Sequence, residues 1–381
     1  MTSPAAVDGH ELLPWSILDL APVHRAETAA VALAGTVTLA QRAEELGYRR
    51  VWYAEHHNMP RIASAATSVL IAHVAAHTST IRLGAGGIML PNHSPLTIAE
   101  QFGTLATLHP GRIDLGVGRA PGTDQRTLHA LRRGPSAAER FPDDVRELQG
   151  YLAGRSLVPG VDAVPGAGTC VPITILGSSL FGARLAAQLG LPYAFASHFA
   201  PAALHPAIEA YRSGFRPSSA CERPYVIAGM NAVAAPTEVE AQALLRGAAR
   251  SRAKLVFGRP GRRLTDAEAD LLLDSPSGAP AWEMLRYTAA GTPEQTRQQL
   301  RRFADDAEAD EVIIASIAPD RGAALRTIEL LAGAARAARG DDAEVSGAPG
   351  TSGAPGTSVA SGGSGAFGAS GTGPAGAATR P

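Results

Sequence analysis

The stretch that decides the fold is "IRLGAGGIMLPNHSPLTIAEQFGTLATLHPGRIDLGVG", residues 81–118. An apolar run at 81–90 is followed by a segment with helical spacing of apolar residues at 94–108, and then by a second apolar run at 112–118. Ser94 is a suitable N-cap for the helix, and Pro95 suits its first position. The stretch therefore predicts one strand–helix–strand unit.

The same alternation of strand and helix continues in both directions along the chain. Strands are predicted at 15–20, 49–55, 81–90, 112–118, 172–178, 192–197, 225–235 and 310–316. Helices are predicted at about 27–46, 63–79, 94–108, 138–152, 179–190, 201–213, 237–255 and 321–337. Eight such units predict an α/β fold, a parallel (β/α)8 TIM barrel. A doubly wound open sheet is the alternative, but no change of composition divides the chain into halves.

Two segments depart from this pattern. Residues 256–292 interrupt the seventh unit with "GRPGRR" and "DSPSGAP", which indicate loop around a short helical piece. Such an excursion is typical of a lid, and a structural insertion is equally consistent with it. Residues 340–381 are rich in Gly, Ala, Ser and Pro without apolar periodicity, so they predict a disordered tail after a barrel of residues 1–339.

Composition excludes several classes of protein. Of the 381 residues 45% are hydrophobic, enough for a large core, and the net charge of −1 favours neither nucleic acid nor an anionic membrane as a partner. Two cysteines, Cys170 and Cys221, make no disulfide framework, which is typical of a reducing cytosol. The N-terminus does not resemble a signal peptide, and no apolar run reaches membrane-spanning length. We therefore expect a cytoplasmic protein.

Polar side chains follow five consecutive predicted strands. They are Glu55, His56 and His57 after the second strand, Asn92 and His93 after the third, Arg119 after the fourth, Gly177, Ser178 and Ser179 after the fifth, and Ser197 and His198 after the sixth. Each motif alone is consistent with loop surface or helix capping. However, the carboxyl ends of barrel strands meet at one face, where barrel enzymes carry their active sites. The convergence predicts a shared functional site.

The segment "LGSSLFGARLAAQLG", residues 176–190, predicts an anion site within this face. Free backbone N–H groups at a helix start, together with the hydroxyls of Ser178 and Ser179, suit a phosphate. Ordinary capping by serine is the alternative. Arg119, which is always charged, is a candidate for a second contact to the phosphate or to a ring.

Two other kinds of site are less consistent with the sequence. Adjacent histidines on an extended strand point to opposite faces, and no Asp or Cys pattern nearby completes a metal-ligand set, so we expect no metal. The glycines in "GVGRAPG" and "GAGGIML" lack the spacing of a dinucleotide fingerprint, and Pro121 stands where a helix should open. Gly84, Gly86 and Gly87 instead suggest that the backbone approaches a flat or bulky group.

Four motifs, taken in order, resemble one known family. "VWYAEHHNMP", "GAGGIMLPNHSP", "EQFGTLATLHPGRIDLGVGRAPGTD" and "LGSSLFGARLAAQLGLPYAFA" are similar to segments of the bacterial luciferase-like flavin monooxygenases, and the resemblance extends from about residue 14 to 338. It is greatest with the single-chain, non-luminescent branch, some of whose members act in antibiotic biosynthesis in actinomycetes. The Arg-rich and Ala-rich composition agrees with such an origin.

The resemblance implies a cofactor and a mechanism. A separate NAD(P)H:flavin reductase would supply reduced FMN, and O2 would add at the flavin C4a carbon to give a peroxyflavin. This species would oxygenate a hydrophobic small molecule, such as an aromatic polyketide or a long-chain aldehyde. Relatives are often dimers, so a homodimer is also expected.

The resemblance also implies roles for individual residues. His56 matches the catalytic histidine, with Glu55 and His57 as its neighbours, and Gly86–Gly87 matches a non-prolyl cis peptide beneath the flavin ring. The remaining matches are Arg119, Gly177, Ser178 and Ser179 for flavin binding, and Asn92, His93 and His198 near the substrate or behind the catalytic residues.

One departure and several alternatives accompany the resemblance. Gly118 stands where luciferase has a reactive cysteine, which argues against light emission and against an aldehyde substrate. A deazaflavin (F420)-dependent dehydrogenase on the same fold is the nearest alternative. A non-catalytic flavin-binding protein is another, although the Glu-His-His run argues against it. A metal-dependent barrel hydrolase is the last.

Overall fold

The computed structural model describes residues 13–120, 123–259, 262 and 264–337, without the side chains of residues 135 and 333–337. The tail predicted at 340–381 lies outside the described residues. Most of the predicted units within the described part appear at or close to their predicted positions.

All strands of the described chain belong to one parallel sheet. They are β1 (Trp15–Asp19), β2 (Arg50–Tyr53), β3 (Arg82–Met89), β4 (Ile113–Gly118), β5 (Ile173–Gly177), β6 (Tyr193–Phe195), β7 (Val226–Ala234), β8 (Thr288–Gly291) and β9 (Glu311–Ser316). The sheet closes because β6 pairs with β7, β7 with β9, and β9 with β1. Eight strands therefore form the predicted TIM barrel, and β8 lies outside the closed ring, paired with the carboxyl half of β7.

Helices flank the barrel. They are α1 (Ala29–Glu45), α2 (Thr67–Ala75), α3 (Pro95–Leu108), α4 (Gln125–Ala130), α5 (Phe141–Leu152), α6 (Leu180–Leu189), α7 (Leu204–Gly214), α8 (Glu238–Phe257), α9 (Asp266–Leu273), α10 (Ala279–Glu283), α11 (Pro293–Asp306) and α12 (Arg321–Ala337). Ser94 caps α3 as predicted, since its side chain accepts from the Thr97 N–H. Short 3-10 turns occur at Leu90–Asn92, Pro135–Arg140, Pro201–Ala203 and Pro276–Gly278.

The segment 256–292 contains more regular structure than the sequence indicated. The predicted short helical piece is α9, which begins with a capping box of Thr265 and Glu268, and α10 and β8 follow it. Buried side chains of α8, α9 and α10, among them Ala249, Ala253 and Leu273, form a small core of their own. This packing holds α9 and α10 against α8. Its function as a lid stays a prediction.

The amino-terminal half of the barrel interior is filled by a buried charge network. Arg50 Nη1 lies 2.8 Å from Asp114 Oδ2, and Arg50 Nε lies 3.0 Å from Glu311 Oε1. Gly84 stands between Trp52 and Asp114, and a Cβ there would lie 2.8 Å from the indole Nε1, so glycine leaves room for the Trp52–Asp114 hydrogen bond of 3.3 Å. Charges at this closed end of a barrel contribute to stability and register rather than to catalysis.

An apolar layer separates this network from the opposite end. It consists of Leu18, Trp52, Ala54, Ala194, Ile227, Ile313 and Ala315. Buried apolar side chains therefore fill the interior between the charge network and the carboxyl ends of the strands. Among the described residues, no helix combines the length and apolarity needed to cross a membrane.

Candidate functional site

The carboxyl ends of the parallel strands share one edge of the barrel, which we call the mouth. It comprises the loops that begin after β2, β3, β4, β5 and β6, at residues 54–58, 90–94, 119–120, 178–179 and 196–200. The polar residues predicted from the sequence lie on these loops, so His56 and Ser178 are at the same end of the molecule. Gly86 and Gly87 lie in the carboxyl half of β3, and Gly177 is the last residue of β5.

Glu55 is the centre of a hydrogen-bonded cluster at the mouth. It is 1% exposed, and its Oε1 lies 2.8 Å from His57 Nε2 and 2.9 Å from His93 Nε2. The Met89 backbone N–H donates to Oε2 at 3.1 Å, and Asn92 Nδ2 donates to Oε1 at 3.4 Å. The loops after β2 and β3 are therefore joined through one buried carboxylate.

This environment keeps Glu55 ionised. Burial opposes the charge, but hydrogen bonds from His93, His57 and the Met89 amide, together with the charge of His93, hold the pKa of the Glu55 carboxyl below its usual value. The carboxylate in turn fixes the positions of both imidazoles. Glu55 and His57, predicted as catalytic neighbours, are thus brought together with His93, which the sequence placed on a different strand.

The glycines of β3 allow the strand to approach its neighbours closely. A Cβ at Gly86 would lie 2.9 Å from Leu18 Cδ1, and one at Gly87 would lie 2.7 Å from the Gly116 carbonyl oxygen. The Gly86–Gly87 peptide bond is cis, as the resemblance implies, and the Gly87 carbonyl accepts from the Glu55 N–H at 3.3 Å. The crowded backbone explains the two glycines and ties them to the Glu55 loop.

His56 has a different environment from His57. It is half-buried, and its Nδ1 is enclosed without a hydrogen-bond partner in the described structure. Burial lowers the pKa of the His56 imidazole, Glu55 partly raises it, and His57 lowers it again. His56 is therefore neutral at pH 7 and free to accept a proton.

His198, on the loop after β6, lies within electrostatic range of His56. Burial, with smaller contributions from the charges of Arg252 and His56, lowers the pKa of His198 to about 4. The Asn231 side chain donates to the His198 carbonyl at 2.6 Å, and the Ser197 hydroxyl donates to the Gly229 carbonyl at 2.6 Å. Both loop residues are thus anchored on β7.

Arg119 and the start of α6 meet on another side of the mouth. The Arg119 guanidinium lies over the Phe181 ring, 4.1 Å from its centroid, in the first turn of α6. Ser179 is the N-cap of α6, but its side chain accepts no N–H of the helix, and the first turn contains no acidic residue. By contrast, Thr28, Ser94, Asp124, Thr237, Thr265 and Thr292 cap their helices with side-chain hydrogen bonds.

The long connection between β4 and α5 contributes residues that the sequence did not single out. The Thr123 hydroxyl donates to the His57 carbonyl at 3.2 Å, and Arg133 Nε donates to the Asn92 carbonyl at 3.1 Å. In the sequence, the only sign of this long connection was that the helix after the fourth strand was predicted to begin as late as residue 138. Arg252 of α8 was also missed, because its approach to His198 depends on how α8 packs.

The Glu55 cluster also resembles a metal-binding arrangement. One ligand atom each from Glu55, His57 and His93 lie within 4.8 Å of one another. Two imidazoles and one carboxylate are a known ligand set for divalent iron. The short distances from Glu55 to both imidazoles are those of direct hydrogen bonds. The expectation of no metal stays a prediction that metal analysis can test.

Comparison with known proteins identifies the family of the chain. The profile of the family described as luciferase-like monooxygenase matches residues 15–311. A protein of Escherichia coli (strain K12) named luciferase-like monooxygenase is 47% identical over 320 residues, covering 84% of this chain and 96% of that protein. N-acetyl-S-alkylcysteine monooxygenase of Bacillus subtilis (strain 168) is 42% identical over 196 residues, covering 49% of this chain and 57% of that protein.

A solved structure with clear sequence identity to this chain has the same fold. The crystal structure of apo-MsnO8 is 35% identical, with a TM-score of 0.77, and the match covers 85% of this chain and 98% of that one. Family profile, close relative and solved structure agree over nearly the whole described barrel. The chain belongs to the luciferase-like monooxygenase family.

Proposed function

We propose that the protein is a monooxygenase that uses reduced FMN and O2 to oxygenate a hydrophobic small molecule. A separate NAD(P)H:flavin reductase would supply the reduced flavin, which agrees with the absence of a dinucleotide fingerprint in the sequence. We further propose a place in secondary metabolism, with an aromatic polyketide as one substrate class. The homodimer and the cytoplasmic location expected from the sequence belong to the same proposal.

The observation that carries the proposal is the open start of α6 beside Arg119. An uncapped helix N-terminus with no acidic residue in its first turn attracts a dianion, and a guanidinium 4.1 Å from the neighbouring Phe181 ring adds positive charge. Ser178 and Ser179 offer hydroxyl donors at the same place. These residues fit the phosphate of FMN, and Gly177 at the end of β5 directly precedes them.

In this proposal the rest of the cofactor and an apolar substrate lie at the centre of the mouth. The apolar layer that contains Trp52 and Ile227 lies beneath it, and the closely packed glycines of β3 lie in an adjacent strand. Bound there, reduced FMN would supply the electrons that activate O2. An apolar floor excludes water, which protects reactive oxygen chemistry from side reactions.

The residues of the mouth have distinct tasks in this proposal. His56, neutral at pH 7 because burial lowers the pKa of its imidazole, accepts or returns the proton that oxygen transfer requires. Glu55 holds His57 and His93 in fixed positions by direct hydrogen bonds. His56 is the proposed catalytic residue, and Glu55 is a positioning residue.

Flavin binding tests the phosphate assignment. Arg119→Ala or Ser178→Ala should weaken FMN binding by roughly tenfold or more, because each removes a donor to a charged group. Arg126→Ala, an exposed arginine on the nearby α4, is the matched control and should leave the FMN dissociation constant unchanged. An unchanged constant in both test variants would refute this assignment.

Oxygen consumption tests the reaction class. With reduced FMN supplied chemically, the full-length protein should produce compounds that gain one oxygen atom from O2, which reduced FMN alone does not produce, and His56→Ala should form them much more slowly with unchanged FMN affinity. Candidate substrates should include N-acetyl-S-alkylcysteines, the class for which the Bacillus subtilis relative is named. Hydride transfer with F420 and no O2 uptake would instead identify a dehydrogenase, and absence of any turnover would favour a binding protein.

A further inference from the structure

A partly open crevice lies between the barrel and the helices α1 and α12, beside the carboxyl ends of β1 and β9. Its volume is about 170 Å³. A cavity of about 150 Å³ with apolar walls accommodates a benzene ring. The crevice shares Leu18 with the apolar layer below the mouth, but none of the polar residues of the mouth lines it. It is therefore a candidate for a ligand site distinct from the mouth.

Most of the crevice wall is apolar. The barrel side and the helix side contribute branched aliphatic side chains, which are Ile17 of β1, Ile314 of β9, Leu39 of α1, and Leu325 and Ile328 of α12. A molecule that leaves water for this wall gains hydrophobic free energy in proportion to the apolar area that it buries. A ring or a short branched chain therefore suits the body of the ligand.

A guanidinium is fixed beside the crevice at the start of α12. Arg321 lies against Gly35 of α1, where a Cβ would overlap the guanidinium. Its Nη2 donates to the Pro22 carbonyl at 3.3 Å and pairs with Glu27 Oε2 at 3.0 Å. Glycine at position 35 thus leaves the space in which the guanidinium reaches the loop after β1. His24 of that loop lines the same crevice.

Two polar atoms of these side chains are buried without a hydrogen-bond partner in the described part of the chain. They are Arg321 Nε and His24 Nε2. A polar atom that is buried without a partner is unfavourable, because the hydrogen bond that it made to water in the unfolded chain is not replaced. Since both residues line the crevice, a ligand that supplies a partner at this wall removes that cost.

The charges around the crevice disfavour an anionic ligand. The carboxylate of Glu27 already pairs with Arg321. Asp19, which is 6% exposed, is a second carboxylate in the wall, and its oxygens accept from the Ala21 N–H at 2.8 Å and from the Thr36 hydroxyl at 2.9 Å. Burial raises the pKa of the Asp19 carboxyl, and a further anion beside it would add repulsion.

The unpartnered atoms also define the polar group that fits. Arg321 Nε is only a donor, so it needs an acceptor, which an ammonium group lacks. A hydroxyl group is neutral and both accepts and donates. It can therefore accept from Arg321 Nε–H, and it can partner His24 Nε2 in either tautomer of the imidazole.

We propose that this crevice binds a small neutral molecule with an apolar body of about the size of a benzene ring and one hydroxyl group, which is the chemistry of a phenol. The hydroxyl group lies at Arg321 and His24, and the body lies against the aliphatic wall that contains Ile17 and Ile314. The inference goes beyond the proposed function and does not depend on it, because the residues of the mouth take no part in this site.

Titration of the full-length protein with phenol, toluene and benzoate, followed by ligand-observed NMR, tests the inference. Phenol and toluene should bind, and benzoate should bind roughly tenfold or more weakly than phenol. Arg321→Lys keeps a cation for Glu27 but has Cε where arginine has Nε. It should weaken phenol binding roughly fivefold or more and leave toluene binding unchanged, because toluene has no hydroxyl group.

A pair of variants on α12 locates the binding site. Ala324 lines the crevice, so Ala324→Phe fills it and should abolish binding of both phenol and toluene. Ala323→Phe, on the same helix but outside the crevice wall, is the matched control and should bind both probes as wild type does.

Four results would overturn the inference. They are a wild-type protein without saturable phenol binding, benzoate that binds as tightly as phenol, an unchanged phenol dissociation constant in Arg321→Lys, and binding that persists in Ala324→Phe, which would assign the probes to the mouth or to another surface. If Ala324→Phe fails to fold, the contrast between phenol and toluene in Arg321→Lys decides alone.

Discussion

Replacement of Glu55 by Gln is the most direct perturbation of the candidate site. The carboxylate accepts from His57 Nε2 at 2.8 Å, from His93 Nε2 at 2.9 Å and from the Met89 N–H at 3.1 Å. Glutamine keeps one acceptor oxygen and places an amide donor against at least one of these donors. A hydrogen bond to a charged group contributes about 1.5–3 kcal/mol, and a buried unsatisfied donor adds to the loss. We expect Glu55→Gln to lower the free energy of unfolding by about 2–4 kcal/mol.

The pH dependence of that loss has a definite sign. The pKa of the Glu55 carboxyl is lower in the folded protein than its usual value of 4.5, so its contribution is complete above that pH and disappears as pH falls through the folded pKa. The difference between wild type and Glu55→Gln should therefore be full at pH 7 and shrink below pH 4.5.

Urea denaturation of four proteins provides the assay. Wild type, Glu55→Gln, His93→Gln and the double variant form a cycle that isolates the Glu55–His93 interaction, and a coupling of about 1–3 kcal/mol is expected for a direct charged contact. A coupling near zero, or a loss below about 1 kcal/mol in Glu55→Gln, would refute the reasoning that this carboxylate organises the mouth.

Three further predictions concern other parts of the barrel. Arg50→Met removes the buried cation between Asp114 and Glu311, which keep only the partly exposed Arg82 and Arg49 as partners, so urea denaturation should show a loss of about 1.5–3 kcal/mol, with FMN affinity unchanged if the fold persists. Gly116→Ala should lower the melting temperature, because its Cβ would lie 2.4 Å from the Ala85 carbonyl oxygen, whereas Gly118→Ala, whose nearest atom is at 3.7 Å, should not. The low pKa of His198, about 4 against 6.5 when unfolded, predicts that wild type loses stability as pH falls between these values, by about 1.4 kcal/mol per pH unit. His198→Gln should lack this loss, and an identical pH profile would contradict the burial of the imidazole.

The sequence predicted the barrel because each strand is buried on both sides and each helix has one apolar face. It predicted the mouth because parallel strands bring their carboxyl ends together, which places Glu55 and Ser178 at one face whatever the side-chain details. It did not predict that β2 ends at Tyr53, so Glu55 lies in the following loop rather than at the end of the strand. Strand ends depend on pairing with neighbours, and that information is not local.

Two elements that were not predicted, α11 and β8, differ in how clearly the sequence marks them. The helix α11 begins with a capping box formed by Thr292 and Gln295 and has Pro293 at its first position. A search of the sequence for helix-capping patterns would therefore have identified it. The strand β8, "TAAG", has neither β-branched runs nor alternation, and it exists because the carboxyl half of β7 offers it an edge. Local patterns identify the first kind of element, and only tertiary pairing identifies the second.

The mouth contains two electrostatic environments, one that favours a charged carboxylate and one that favours neutral imidazoles. The difference indicates which group accepts a proton. Around Glu55, short hydrogen bonds favour a charged carboxylate. Burial lowers the pKa of both the His56 and the His198 imidazole, so it favours their neutral forms. Neighbouring groups can take separate acid, base and positioning roles when their surroundings shift their pKa values so that one is charged and the other neutral. A neutral His56 beside an ionised Glu55 is therefore suited to act as a base at pH 7.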